Sequence, residues 1–275
     1  MEFNHPVGDY HVHPDYSFDA TGSMREYCEK AIELGLSEIV FVPHAEDHPQ
    51  NGESNILKVD GHRRPIDSEG LKRYRDELYD LVEGDDPVPI MVRCGVELGF
   101  YPGVKDSFLH MIEDMHFEYV LCGIHYVDGC IISSEKKMKE LLSKNSPEQF
   151  IEKYYKIIQK ACQIEFLDCL AHIDVYRRLG MKMFPEQASR IDYEVIDETM
   201  EHLVKYGLPV EVNTSGMRHG IGDWYPSKPL LTRMRQAGVL IGGLGSDSHH
   251  PDHLATDFEM AHLLVHETFP EIYED

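Results

Sequence analysis

The chain is short of positive charge. Lys and Arg number 26 against 49 Asp and Glu, a formal net charge of −23 over 275 residues. Such a surface repels nucleic-acid phosphates and anionic membranes, so neither partner is expected. CxxC pairs are absent too. The six cysteines (Cys28, Cys94, Cys122, Cys130, Cys162 and Cys169) are dispersed, and three of them fall inside apolar runs. That predicts free, mostly buried thiols and a reducing compartment, not a disulfide framework. No apolar run approaches the roughly 20 residues a membrane helix needs. The opening MEFNHPVGDYHVH lacks the basic-then-apolar order of a secretory signal. The expectation is a soluble, cytoplasmic protein. There is no low-complexity tract, linker or fixed-period repeat, and one domain over residues 1–275 is expected, a usual length for an α/β barrel.

What is present is an alternation. Short apolar runs, DYHVH (9–13), SEIVFVPH (37–44), PIMVRCGVELG (89–99), YVLCGIHY (119–126), FLDCLAH (166–172), PVEVNTS (209–215) and VLIGGLGSDSH (239–249), read as strands. Helix-period segments lie between them. Ser23 and Glu26 form a capping-box pattern ahead of a helix that stops at Gly35. Ser146, Pro147 and Gln149 mark a second start. Further helices are predicted over 191–206, 230–237 and 256–265. Repeated βα units point to an α/β fold with a parallel sheet, closed as a barrel or nearly so, or open and doubly wound.

The ends of these strands carry the chemistry. Parallel α/β folds place their sites at the carboxyl ends of strands. Those ends read His11 and His13, His44, Glu97, His125, His172, Asn213, then Asp247 and His249. With 17 histidines some would fall there by chance. A ligand-type residue at every end but one, and an amide at that one, is a pattern that chance does not produce. With Asp19, which follows the first pair, the candidates number nine. One four- or five-coordinate ion cannot use nine ligands, so two or three ions are expected, with Glu97 suited to bridge. Imidazole and carboxylate without thiolate favour Zn, Mn or Fe over Mg or Ca.

At this point DYHVHPDYSFD (9–19), FVPHAE (41–46), GVELGFYPG (95–103), CGIHYVDG (122–129), LAHIDVYRR (170–178), VEVNTSGMR (210–218) and GSDSHHP (245–251) together resemble the PHP (polymerase and histidinol phosphatase) family. The likeness covers about residues 9 to 265 and is greatest to the histidinol-phosphatase branch. It implies a distorted (β/α)7 TIM-like barrel with a trinuclear site and hydrolysis of L-histidinol phosphate to L-histidinol and phosphate in histidine biosynthesis. It implies that His11, His13, Glu97 and Asp247 share one metal, that His44 and His172 serve the third with Asp19 nearby, and that His125 and His249 complete the set.

A phosphomonoester also needs cationic clamps, for which the arginine fork is suited. The candidates are Arg177 and Arg178 after the fifth strand and Arg218 after the sixth. The resemblance favours Arg218 and one of the pair, with Arg178 preferred. The polar loop from Glu46 to Pro65 has the length of a lid. The expected mechanism is in-line attack on phosphorus by a metal-bridging hydroxide, with Asp247 orienting or deprotonating the water and His249, Asp247 or a metal-bound water available to protonate the leaving group. The alternatives are another small phosphate ester as substrate, a non-hydrolytic reaction such as deamination on the same kind of centre, or metal binding without turnover.

Overall fold

The computed structural model describes residues 7–49 and 55–269. Its strands are β1 (Gly8–Val12), β2 (Glu38–Phe41), β3 (His44–Ala45), β4 (Ile56–Val59), β5 (His62–Pro65), β6 (Met91–Gly99), β7 (Tyr119–Gly123), β8 (Tyr126–Val127), β9 (Cys130–Ile131), β10 (Cys169–Leu170), β11 (Val210–Asn213) and β12 (Ile241–Gly245). The helices are α1 (Met24–Leu34), α2 (Ser68–Glu83), α3 (Asp106–Asp114), α4 (Glu135–Leu142), α5 (Pro147–Ala161), α6 (Arg177–Met183), α7 (Pro185–Ala188), α8 (Glu194–Tyr206), α9 (Ser215–Arg218), α10 (Lys228–Ala237) and α11 (Phe258–Thr268).

The main sheet runs β1-β2-β6-β7-β10-β11-β12, so order in space follows order in the chain. A doubly wound sheet reverses direction partway, whereas a barrel does not. The pairs β1–β2, β2–β6 and β10–β11 are parallel, and a parallel bridge from Val12 to Ser248 brings the segment after β12 back beside β1. The architecture is therefore the barrel type, and the open-sheet alternative falls away.

By packing, the chain forms two compact units. The first comprises residues up to Gly99, Val104–Leu121 and Gly243–Phe258; the second comprises Phe100–Gly103, Cys122–Gly242 and the chain from Glu259 on. The core of the first is built from β1, β2 and β6 with Tyr27, Tyr74 and Phe41 fully buried. That of the second gathers Phe150, Tyr154, Tyr155 and Tyr176, whose rings meet edge-on at centroid distances near 5–6 Å, as ring quadrupoles favour.

The predicted caps form. Ser23 accepts from the Glu26 N–H while the Glu26 carboxylate takes the Ser23 N–H at 2.7 Å, and Ser146 and Gln149 repeat the arrangement under Pro147. The loop from Glu46 to Pro65 differs from expectation. Its described part is the antiparallel hairpin β4–β5, turned by Asp60 and Gly61 at φ 52° and 72°. Asp128 and Gly129 turn β8–β9 in the same way, at 49° and 74°. Residues 50–54 of the loop lie outside the described residues. The fifth strand is shorter than FLDCLAH, because His172 at φ 24° cannot continue it. All six cysteines are free and buried. No helix among the described residues is long and apolar enough to cross a membrane.

Candidate metal centre

In the first unit, β1 turns His11 and His13 to the same face, where both are wholly buried. Their Nε2 atoms stand 3.0 Å apart. Asp247 Oδ1 lies 3.6 Å from the first and 3.5 Å from the second. Glu97, also wholly buried, approaches the same two nitrogens at 3.8 and 3.6 Å. The Val12–Ser248 bridge supplies Asp247, whose backbone sits at φ 52°. A non-glycine residue there is strained, and such strain gathers where a side chain must be aimed.

A second triangle adjoins the first. His44 Nε2 and His249 Nε2 are 3.4 Å apart, and Asp19 Oδ1 lies 3.7 Å from one and 3.5 Å from the other. Asp19 thus meets His44 and His249, a grouping the sequence motifs did not distinguish. Glu97 joins the triangles. Its Oε2 is 2.7 Å from His44 Nδ1, while both oxygens reach the His11–His13 pair. The strand register explains this, since His44 of β3 pairs opposite Glu97 of β6.

The donors fit divalent ions. Ligands about 2.1 Å from one ion stand about 3.0 Å apart at right angles and about 3.4 Å apart at the tetrahedral angle. The separations in both triangles fall close to these edges. Burial, reinforced by His249 and His44, holds His13 well below the usual imidazole pKa, and burial likewise lowers His249. Neutral imidazoles keep the lone pair that a metal needs. Ser17, wholly buried, fixes the His13 ring. Its Oγ accepts the His44 N–H at 3.2 Å and lies 3.0 Å from His13 Nδ1, leaving Nε2 toward Asp247 and Glu97.

In the second unit the rings of His125 and His172 stand 5.5 Å apart. The His172 N–H donates to Glu211 at 2.9 Å, and the same carboxylate oxygen accepts from the Asn213 amide at 3.0 Å. Asn213 Oδ1 in turn receives the Ser215 N–H and hydroxyl. Glu211 went unremarked in the sequence. Its signal was an acid two residues before Asn213, on the same face of an otherwise apolar strand.

The three arginines divide. Arg177 is buried and donates to Asp223 at 2.8 Å, the Trp224 carbonyl at 3.1 Å and Asp174 at 3.4 Å. Its donors serve the protein's own interior. Arg178, next along α6, is exposed. Arg218 closes α9 just beyond β11 and is half-buried.

The family model of the PHP domain matches residues 9–215. Among curated relatives, a probable histidinol-phosphatase of Deinococcus radiodurans is 23% identical, over 91% of this chain and 89% of that one. One from Clostridium acetobutylicum is 24% identical, over 93% and 91%. Among solved structures, the histidinol phosphate phosphatase HisK of Lactococcus lactis, complexed with zinc, L-histidinol and phosphate, gives a TM-score of 0.71 at 18% identity, over 96% of this chain and 94% of that one. The putative histidinol phosphatase HisK of Listeria monocytogenes gives 0.76 at 17% identity, over 92% and 99%. Both likenesses extend across the α/β barrel expected from the strand–helix alternation.

Proposed function

This chain belongs to the PHP domain family, and from that membership we propose a metal-dependent phosphatase that hydrolyses L-histidinol phosphate to L-histidinol and phosphate. The observation that carries the reading is the pair of donor triangles sharing Glu97 in the first unit. The relatives named as histidinol-phosphatases support the substrate.

In this reading His11, His13, Glu97 and Asp247 hold one ion, and His44, His249 and Asp19 hold a second beside the shared Glu97. His125 and His172 are ligands as well. Zinc fits this donor set, as do manganese and iron. Such ions, when bound, supply Lewis acidity at a phosphoryl group and make hydroxide available near neutral pH.

The remaining work falls to the side chains. Glu97 is fully enclosed, whereas the Asp247 side chain is 14% exposed. Of the two carboxylates beside His11 and His13, Asp247 is the one that water reaches, so its Oδ1 orients the attacking water and accepts a proton from it. His249 Nδ1 stands 3.5 Å from that oxygen while its Nε2 faces His44 and Asp19, so Asp247, having taken the proton of the water, is the group that returns it to the leaving alkoxide. Arg218 and Arg178 neutralise the phosphate oxygens, because Arg177 is engaged by Asp174 and Asp223.

The test is phosphate release by the zinc-, manganese- or iron-loaded protein. L-histidinol phosphate is compared with sugar phosphates, nucleotides and p-nitrophenyl phosphate by kcat/KM, with and without a chelator. Preference for histidinol phosphate, lost on chelation, is expected. A higher kcat/KM on another phosphate ester would reassign the substrate, and chelator-resistant turnover would remove the metals from the reading.

A further inference from the structure

Asp19 is the most exposed donor of the second triangle, at 41% against 11% for His44 and 28% for His249. It lies in the turn between β1 and α1, outside both elements. An open carboxylate on irregular backbone has to be ordered before it can grip an ion, and that ordering costs conformational entropy. Bonds around this turn, all within the first unit, bear that cost in advance.

The peptide group between Ala20 and Thr21, next in the chain, is held from both sides. Its N–H donates to the His249 carbonyl at 2.9 Å. Its carbonyl accepts the Lys58 ammonium at 2.7 Å. The second bond is charge-assisted, and a cation on the carbonyl polarises the N–H of the same group toward its own acceptor. One lysine thus tightens the tie between the neighbour of Asp19 and the backbone of His249.

Lys58 belongs to β4, and its backbone N–H donates to the Tyr16 carbonyl at 2.9 Å. Beside it Ser17 pairs with Leu57 in an antiparallel bridge, both wholly buried. The β4–β5 hairpin is in turn fixed to α2. Asp67, the cap of that helix, accepts from Arg64 at 2.8 Å, and Asp60 at the hairpin turn accepts from Arg73 at 2.5 Å. Tyr16 donates to Glu77 of α2 at 2.5 Å. These bonds join α2, the hairpin and the turn that bears Asp19.

We propose that Lys58 is a positioning residue for the ion held by His44, His249 and Asp19, with the β4–β5 hairpin as the brace that presents it. This rests on the metal-dependent reading above and deepens it. Occupancy by that ion comes to depend on a side chain that bonds a backbone carbonyl and not a ligand.

Zinc titration of the stripped protein against a chromophoric chelator tests this without turnover. Asp19→Asn identifies the binding step that belongs to this ion. Lys58→Met, which keeps most of the aliphatic stem, should weaken the same step roughly tenfold to a hundredfold and the others by no more than about twofold. Lys58→Arg retains a cationic donor and should recover part of the loss, and circular dichroism melts report that each variant is folded. The double variant should be little weaker than Asp19→Asn alone, because the lysine then has no carboxylate to position. Additive losses, equal weakening of every step or an unchanged titration for Lys58→Met would each overturn the proposal. Wild-type protein that hydrolyses phosphate esters on ions indifferent to Asp19→Asn would also overturn it, with the phosphatase reading intact. Coupled losses in a protein without phosphatase activity would uphold the brace while that reading fails.

Discussion

Glu97 Oε2 lies 2.7 Å from His44 Nδ1, and the same carboxylate reaches His11 and His13, so one side chain touches both groups of donors. A buried carboxylate with histidine nitrogens on both sides suits a bridge between ions. Glu97→Gln halves its acceptor capacity and removes its charge. Metal content by plasma mass spectrometry should fall by at least one ion per chain, and kcat by about a hundredfold or more. Full metal content with near-normal turnover would rule out the bridge.

Asp247 can be separated from the fold. Its carboxylate is partly open to water and its neighbours are histidines. Asp247→Asn should lower kcat by at least about a hundredfold while the chelated protein melts within a few degrees of wild type. Retained turnover would move the proton-accepting role elsewhere.

Ser17 predicts a loss of metal affinity together with a stability cost of about 1–3 kcal/mol, because the buried His44 N–H loses its acceptor. With the Ser17→Ala change the His13 ring loses its hydrogen-bonded support at Nδ1. Such supports are worth about 10–100-fold in metal affinity. Competition with a chromophoric chelator should show that loss, and excess metal should restore activity.

The arginines predict opposite phenotypes. Removing Arg177 leaves Asp174 buried and Asp223 without its 2.8 Å partner, so Arg177→Met should destabilise the protein by about 3–5 kcal/mol, as broken buried pairs do. Urea unfolding measures it. Arg218→Ala should instead raise KM for the phosphate ester about tenfold or more with little change in stability. Reversed phenotypes would exchange their roles.

Asp9 gives a pH signature. Burial raises its carboxyl to about 6, even though it accepts N–H groups from His11, Ser246 and Ala255. The folded state therefore holds this proton more tightly than the unfolded chain. The stability it contributes is full below about pH 4 and is lost as pH rises through 6, a change of about 3 kcal/mol at most. Because His13 and His249 titrate in the opposite sense, the contribution is read as the stability difference between the chelated wild type and Asp9→Asn in urea, which should fall by about 3 kcal/mol between pH 4 and 7.

The features legible in sequence are those written locally. Capping residues such as Ser23 and Ser146 bond within their own helices, and the strand-end histidines recur where βα units put sites. Asp60-Gly61 and Asp128-Gly129 are equally local hairpin signals, but the flanking strands are only two to four residues long and partly polar, so no alternation surrounds them. Glu211 was hidden for another reason. It matters through His172, which follows a different strand, and register is not written in any single segment. Arg177 and Arg178 look equivalent as a dipeptide. Only the packing of Asp174 and Asp223 around one of them tells them apart.

The Val12–Ser248 bridge has a consequence for how the protein is made. Asp247 and His249 leave the ribosome long after His11, His13 and His44, and both donor triangles need them. Closing so wide a loop is the entropically slow part of assembly. An emerging chain would thus have its first histidines ready and no finished place for a metal until the final strand arrives. Metal capture would then mark the completed chain, and a truncated or stalled product would be both inert and metal-free.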